Sequence, residues 1–362
     1  MQLKAKLLDV YIIKKFLGTF IFSLALIISI AVIFDVSEKL DDFLERQAPL
    51  KAIVFDYYLN FIPYFANLFS PLFIFISVIY FTSRMASQTE IIAILNSGIS
   101  FNRFLRPYII VATFLAVVSF YFNGWVIPHS RDKQLSFENQ YIKSPYKFSS
   151  RNIHRQIKPG EYIYFESYDN KTNNGYLFSL EKFENQKLVY KMLADRISWD
   201  STQQKWSIET YTIRHINGMQ ERLESGARLD TALNFNRREF SRRINFIEAM
   251  DQNEISRFIA DEKLRGSELI PFYEVEKYKR ISYPFATFIL TIIGVSLSSR
   301  KVRGGTGLQL GAGILLSFTY ILFMQVTTTF ATNSGMPAII AVFIPNIVYA
   351  FVALYLLKAA PK

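Results

Sequence analysis

The sequence predicts a membrane α-helical bundle of six spans, with an all-β domain inserted between the third and fourth. Three observations predict it. Six stretches are long and apolar enough to cross a bilayer. The 362-residue chain is 51% hydrophobic and only 20% charged, a balance poor for a soluble enzyme. Between spans three and four the apolar density drops and the pattern approaches period two.

A spanning helix needs ~20 mainly apolar residues to cross a ~30 Å hydrocarbon core. Residues 16–34, 61–81, 105–127, 281–297, 308–330 and 336–357 qualify. The fourth is the shortest and is expected to extend upstream through 272–280. The first is too long for the apolar part of a signal peptide, and no small-residue cleavage site follows it.

Lysine and arginine in short loops set the orientation. Lys4, Lys6, Lys14 and Lys15 precede span one, and Arg84, Arg103 and Arg106 follow span two. Arg300, Lys301 and Arg303 follow span four, and Lys358 and Lys362 end the chain. With six spans these fall on one side, which places both termini in the cytoplasm. The opposite loop, 35–60, holds Asp35, Glu38, Asp41, Asp42, Glu45 and Asp56 against Lys39, Arg46 and Lys51. Much of the net charge of +11 is thereby a topology signal rather than a nucleic-acid footprint.

The organisation expected is residues 1–127 for spans one to three, 128–270 for the inserted domain with helical connectors, and 271–362 for spans four to six. The insert holds EYIYFESY (161–168), GYLFSLEKF (175–183), KLVYKMLA (187–194), DRISWD (195–200) and KWSIETYTIRHI (205–216). DNKTNNG and DSTQQK supply turns, and the spacing suits an antiparallel sandwich or open barrel. In the last segment Ile208, Thr210 and Thr212 are expected on one face, with Glu209, Tyr211 and Ile213 on the other. Helical connectors are expected over 130–144 and 254–280.

Several chemistries are excluded. The absence of Cys removes disulfides, cysteine–zinc sites and a thiol nucleophile. His129, His154 and His215 lie far apart and form no metal-ligand spacing. RGGTGLQLGAG (303–313) lacks the lysine of a phosphate loop. Its Gly305, Gly307, Gly311 and Gly313 instead suit a tight turn and close helix approach. Any energy for work must come from another chain. Asn67, Asn123, Gln325, Thr327–Thr329 and Asn346 are polar at membrane depth and suit interhelical hydrogen bonds.

Between spans two and three lies ASQTEIIAILNSGIS (86–100), too short to cross a bilayer. Ser87 and Glu90 have capping-box spacing, and Gly98 can end the helix in the left-handed region. A helix of this length is marginal alone and needs a surface, for which Ile91, Ile94 and Leu95 form a stripe.

LLDVYIIKKFLGTF, SQTEIIAILNSGISFNRFLRP, KRISYPFATFILTIIGVSLS and RGGTGLQLGAGILLSFTYI together resemble the LptF/LptG permease family across the whole chain. The span-two motif is the most specific. The lead LDVYIIKKF leans toward LptG. The resemblance implies a permease subunit of a lipopolysaccharide exporter in a bacterial inner membrane, with a periplasmic jellyroll-like domain. Its implied partners are a second family chain, an LptB-like ATPase dimer, LptC-like and LptA-like periplasmic proteins, and lipopolysaccharide itself. ATP and magnesium would sit on the ATPase, with no cofactor on this chain. The resemblance makes 87–98 a coupling helix, with Ser87, Glu90, Ile91, Ile94, Leu95, Gly98 and Arg103 at the ATPase. It places a lateral gate or lipid cavity at spans one and five, where Phe34, Asp35, Lys39, Phe318 and Gln325 lie. Where some relatives carry a base for lipid phosphates, this chain has Asp35, with Lys39 one turn on and Arg46 beyond. A membrane-anchored scaffold displaying a β domain is the alternative. A lipid-modifying enzyme lacks catalytic groups.

Overall fold

The computed structural model describes residues 7–144, 151–233, 243–300 and 305–360. Lys4, Lys6, Lys301, Arg303 and Lys362, used above for orientation, lie outside them. Six helices are long and apolar enough to cross a membrane: α1 (Leu7–Glu45), α2 (Leu50–Ser87), α4 (Phe101–Tyr141), α6 (Ile270–Ser298), α7 (Gly305–Asn333) and α8 (Ala338–Ala359). The short α3 (Glu90–Asn96) joins α2 to α4, and α5 (Gln252–Leu264) precedes α6. Every expected span is present, and the first four run well beyond their apolar stretches. The 39 residues of α1 extend about 58 Å, so its charged C-terminal third outruns the hydrocarbon core.

Two compact units result. The first holds the spans and residues 247–255; the second holds residues 143–246 and 256–270. The connector expected over 130–144 is the continuation of span three itself, through a π turn at Phe122–Val126. The connector expected over 254–280 breaks after Leu264, and its second half is the start of α6.

Within the first unit, small residues let helices touch. A Cβ on Gly313 of α7 would lie 2.2 Å from Cδ1 of Ile79 in α2, and one on Gly294 of α6 would lie 2.9 Å from Cγ1 of Val78. Gly305 turns with φ +68°, as expected for a tight turn, whereas Gly307 and Gly311 face open space. Gly313→Val is therefore expected to lower the thermal stability of the purified chain, by about 1–3 kcal/mol from overpacking. Gly311→Val is the matched control and should leave the melting curve in place. Interhelical hydrogen bonds satisfy the membrane asparagines. Asn67 donates to Asn123 at 2.9 Å, and Asn346 donates to Ser282 Oγ at 2.6 Å and accepts from Tyr320 at 2.9 Å.

The second unit carries one six-stranded antiparallel sheet in chain order: β1 (Arg151–Lys158), β2 (Glu161–Asp169), β3 (Asn174–Glu184), β4 (Lys187–Asp200), β5 (Lys205–Asn217) and β6 (Gln220–Thr231). The segments 187–194 and 195–200 are one strand, because no turn residue separates Ala194 from Asp195. The two edge strands were not expected. RNIHRQIK and QERLESGARLDT are charged and mostly exposed, as suits a sheet edge. The expected alternation in β5 is not found: Trp206, Ser207 and Ile208 are buried in a row, and Thr210 and Thr212, expected on the face of Ile208, are exposed. Thr210 has φ +51°, and beyond it the inward parity changes, so that Ile208 and Ile213 are both buried. The same step crosses the sheet, from Phe165 to Tyr168, Gly175 to Phe178, and Ala194 to Ile197.

Candidate functional site

The loop after α2 builds a compact junction. α2 ends at Ser87, and Thr89 takes φ +62°, which turns the chain before α3 starts. A β-branched residue rarely adopts that conformation, so the break carries local backbone strain. The expected capping box is absent. The Ser87 hydroxyl donates back to the Arg84 carbonyl at 2.8 Å, because Ser87 is still the last turn of α2. Glu90 is instead the first residue of α3, and its carboxylate accepts from the Tyr11 hydroxyl at 3.3 Å. The C-terminal end matches expectation. Gly98 has φ +86°, and its amide donates to the Leu95 carbonyl at 3.0 Å.

The apolar stripe of α3 points into the bundle. Ile91 is 1% exposed in a core with Ile12, Phe16, Met85, Phe104 and Tyr108, and Ile94 and Leu95 pack on the same core. These three side chains are thus the inner face of the helix. Its outer face is Ile92, Ala93, Asn96 and Ser97. Arg103 is also engaged within the chain: its guanidinium grips Asp9 in α1 bidentately, with both contacts at 2.6 Å.

At the other end of α1, Asp35 and Lys39 form an ion pair one helical turn apart. The Tyr57 hydroxyl joins both, and the Tyr58 hydroxyl donates to Asp35 at 3.1 Å. An acid beside the lysine is therefore neutralised locally rather than presented to a ligand. Phe34 and Phe318 are 72% and 58% exposed on the outside of the helices. Gln325 differs from both, since it lines a cavity.

That cavity, about 480 Å³, lies among α2, α4, α6 and α7. Leu68, Phe69, Ile321 and Met324 form its apolar wall, and Tyr64, Lys279 and Gln325 contribute polar groups. Its size falls in the range of ligand pockets. Lys279 has no ion pair or hydrogen bond among the described residues. Nearby, Arg131 is 8% exposed, donates from Nε to Glu248 at 2.9 Å and lies 4.4 Å over the Tyr64 ring. Arg280 donates to the carbonyls of Met250 at 2.6 Å and Ile247 at 3.0 Å. Together they hold residues 247–250 against the spans. Burial pushes the Glu248 carboxyl above its usual range, against the opposing pull of Arg131.

The sequence profile described as "Lipopolysaccharide export system permease LptF/LptG" matches residues 10–359. The chain belongs to the LptF/LptG family. No curated relative matches it. The profile spans LptF and LptG alike, so it assigns this LptF/LptG chain to neither. The family is a lipopolysaccharide export permease, a transport subunit and not a hydrolase, and this chain is a multi-pass inner-membrane protein of that kind.

The LptF/LptG junction depends on residues that sequence reasoning passed over. Neither Asp9 nor Tyr11 stands out in the sequence, because partners 94 and 79 positions away leave no local signal. Glu248 and Arg280 went unseen for the same reason. Only Gly98 announced its geometry. Gly98→Ala is expected to cost about 1–2 kcal/mol, the left-handed penalty for a side chain. Faster hydrogen exchange at the Ser97 and Gly98 amides is the measurement that checks it.

Proposed function

We propose that this chain is the membrane subunit of an ATP-driven lipopolysaccharide exporter, moved by a separate ATPase that docks beneath α3. The observation that carries the reading is α3 itself: a seven-residue helix fixed to three spans by its inner face, with its outer face open. Such a helix is unstable alone and has no use in a simple anchor. It suits a lever pushed from below. In this reading both termini and α3 are cytoplasmic, in line with the lysine and arginine bias, and the β domain is periplasmic. ATP and magnesium stay on the ATPase. A second family chain completes the bundle, and lipopolysaccharide passes from the spans to the jellyroll-like domain and on to LptC-like and LptA-like proteins. Lipid gains access beside α1 and α7, and the cavity bearing Gln325 offers apolar walls together with the charged groups Glu248, Glu276, Lys279 and Arg280.

The test is purification from native membranes, followed by identification of what travels with the chain. An ATPase, a second permease chain and lipopolysaccharide are the expected companions. A chain that purifies with periplasmic proteins but with no ATPase would favour the scaffold reading.

A further inference from the structure

Two contacts tie the first turns of α1 to the short helix and to the start of α4 beside it. The Tyr11 hydroxyl donates to Glu90, the first residue of α3, at 3.3 Å. Arg103, near the start of α4, grips Asp9 with two bonds of 2.6 Å. Between them Ile91 is packed against Ile12 and Phe16 in one core. The links from α3 along the chain are of a different kind. Left-handed residues flank it on both sides, Thr89 at φ +62° and Gly98 at φ +86°. Those joints change direction within one or two residues and are poorly suited to carry a push along the chain. The side-chain contacts to α1 are better suited: the Tyr11 hydroxyl reaches α3 itself, and the bidentate arginine–carboxylate pair, whose two parallel bonds fix its geometry, holds α1 to α4 immediately after α3.

We propose that Asp9, Tyr11 and Arg103 are positioning residues that tie the start of α1 to the block formed by α3 and the first turn of α4, so that a push on the short helix is delivered to span one together with span three. The inference rests on the transport reading above. α1 is suited to receive it. It is one unbroken helix of 39 residues, and only a small part of its apolar window is buried within this chain. A rotation imposed at Asp9 and Tyr11 is therefore delivered to the far end, where the Asp35–Lys39 pair sits.

The experiment uses the complete complex in proteoliposomes loaded with lipopolysaccharide. It measures lipid released per ATP hydrolysed. D9R and R103D singly are expected to lower that ratio about fivefold or more, the low end of a typical coupling energy, with hydrolysis retained. The exchanged pair D9R/R103D should restore it, because the two groups meet again with signs reversed. Y11F, which removes one hydroxyl and leaves the packing, should lower the ratio in the same direction. A second readout needs no transport: spin labels at Val10 and Asn96 should keep a fixed separation across nucleotide states. A separation that changes with nucleotide overturns the proposal. So do a native ratio in Y11F and an exchanged pair that assembles without recovery. If a single reversal fails to assemble, Y11F and the exchanged pair decide. If the native complex releases no lipid with ATP while the labels stay fixed, the transport reading has failed and the rigid link stands.

Discussion

Glu90→Lys is expected to stop ATP-driven lipid release while leaving the chain inserted in the membrane. Glu90 starts α3, where a carboxylate is favoured by the helix dipole, and its oxygen takes the Tyr11 hydroxyl. A lysine there loses both interactions and lies in a region that already holds Arg84 and Lys15. If the ATPase presents a basic residue to Glu90, the reversal also sets two like charges together. Removing one partner of such a hydrogen-bonded pair costs about 2–5 kcal/mol of docking, or more than tenfold in affinity. Glu90→Gln separates the contributions, because it keeps an acceptor for Tyr11 and loses the charge. Release that is native in Gln and absent in Lys would place the effect in repulsion. Native release in Lys would remove Glu90 from coupling altogether.

Arg131→Ala should be among the most destabilising single changes in the molecule. Arg131 is 8% exposed and is the main partner of Glu248, whose carboxyl is already held up by burial. Its removal leaves that acid in a poorly solvated site near Glu276 and Glu138. Breaking a buried pair from one side typically costs about 3–5 kcal/mol. The double change Arg131→Met with Glu248→Leu removes that pair and should recover part of the loss, since Glu248 is then not stranded, while buried Glu138, 3.8 Å from Arg131, still loses this cation. Thermal unfolding of the purified chain in detergent reads the difference. Equal melting of the single and double variants would mean that shape, and not charge, holds residues 247–250 in place.

Six spans, their order and the four inner strands of the insert are legible because hydrophobic length and period-two runs are local signals; the charged edge strands carry no such run. Gly98 was legible for the same reason, as a glycine after a helix. Asp9 with Arg103 was not, because nothing in a chain of letters brings position 9 to position 103. The Ser87–Glu90 spacing misled. Capping-box spacing fixes which groups can meet, but α2 continues through Ser87 and removes its hydroxyl from the task. Ile91, Ile94 and Leu95 were read correctly as a stripe, yet a stripe does not say which surface it meets, and here it meets the bundle. In the β domain, Thr210 broke an alternation that its own β propensity supported.

The transport role is tested most directly by reconstitution. Proteoliposomes holding this chain, its companion permease and the ATPase, loaded with lipopolysaccharide, are supplied with ATP or with a non-hydrolysable analogue. Lipid should leave the bilayer only with ATP, and only when this chain is present. Equal release with the analogue, or release from vesicles lacking this chain, would contradict an ATP-driven permease.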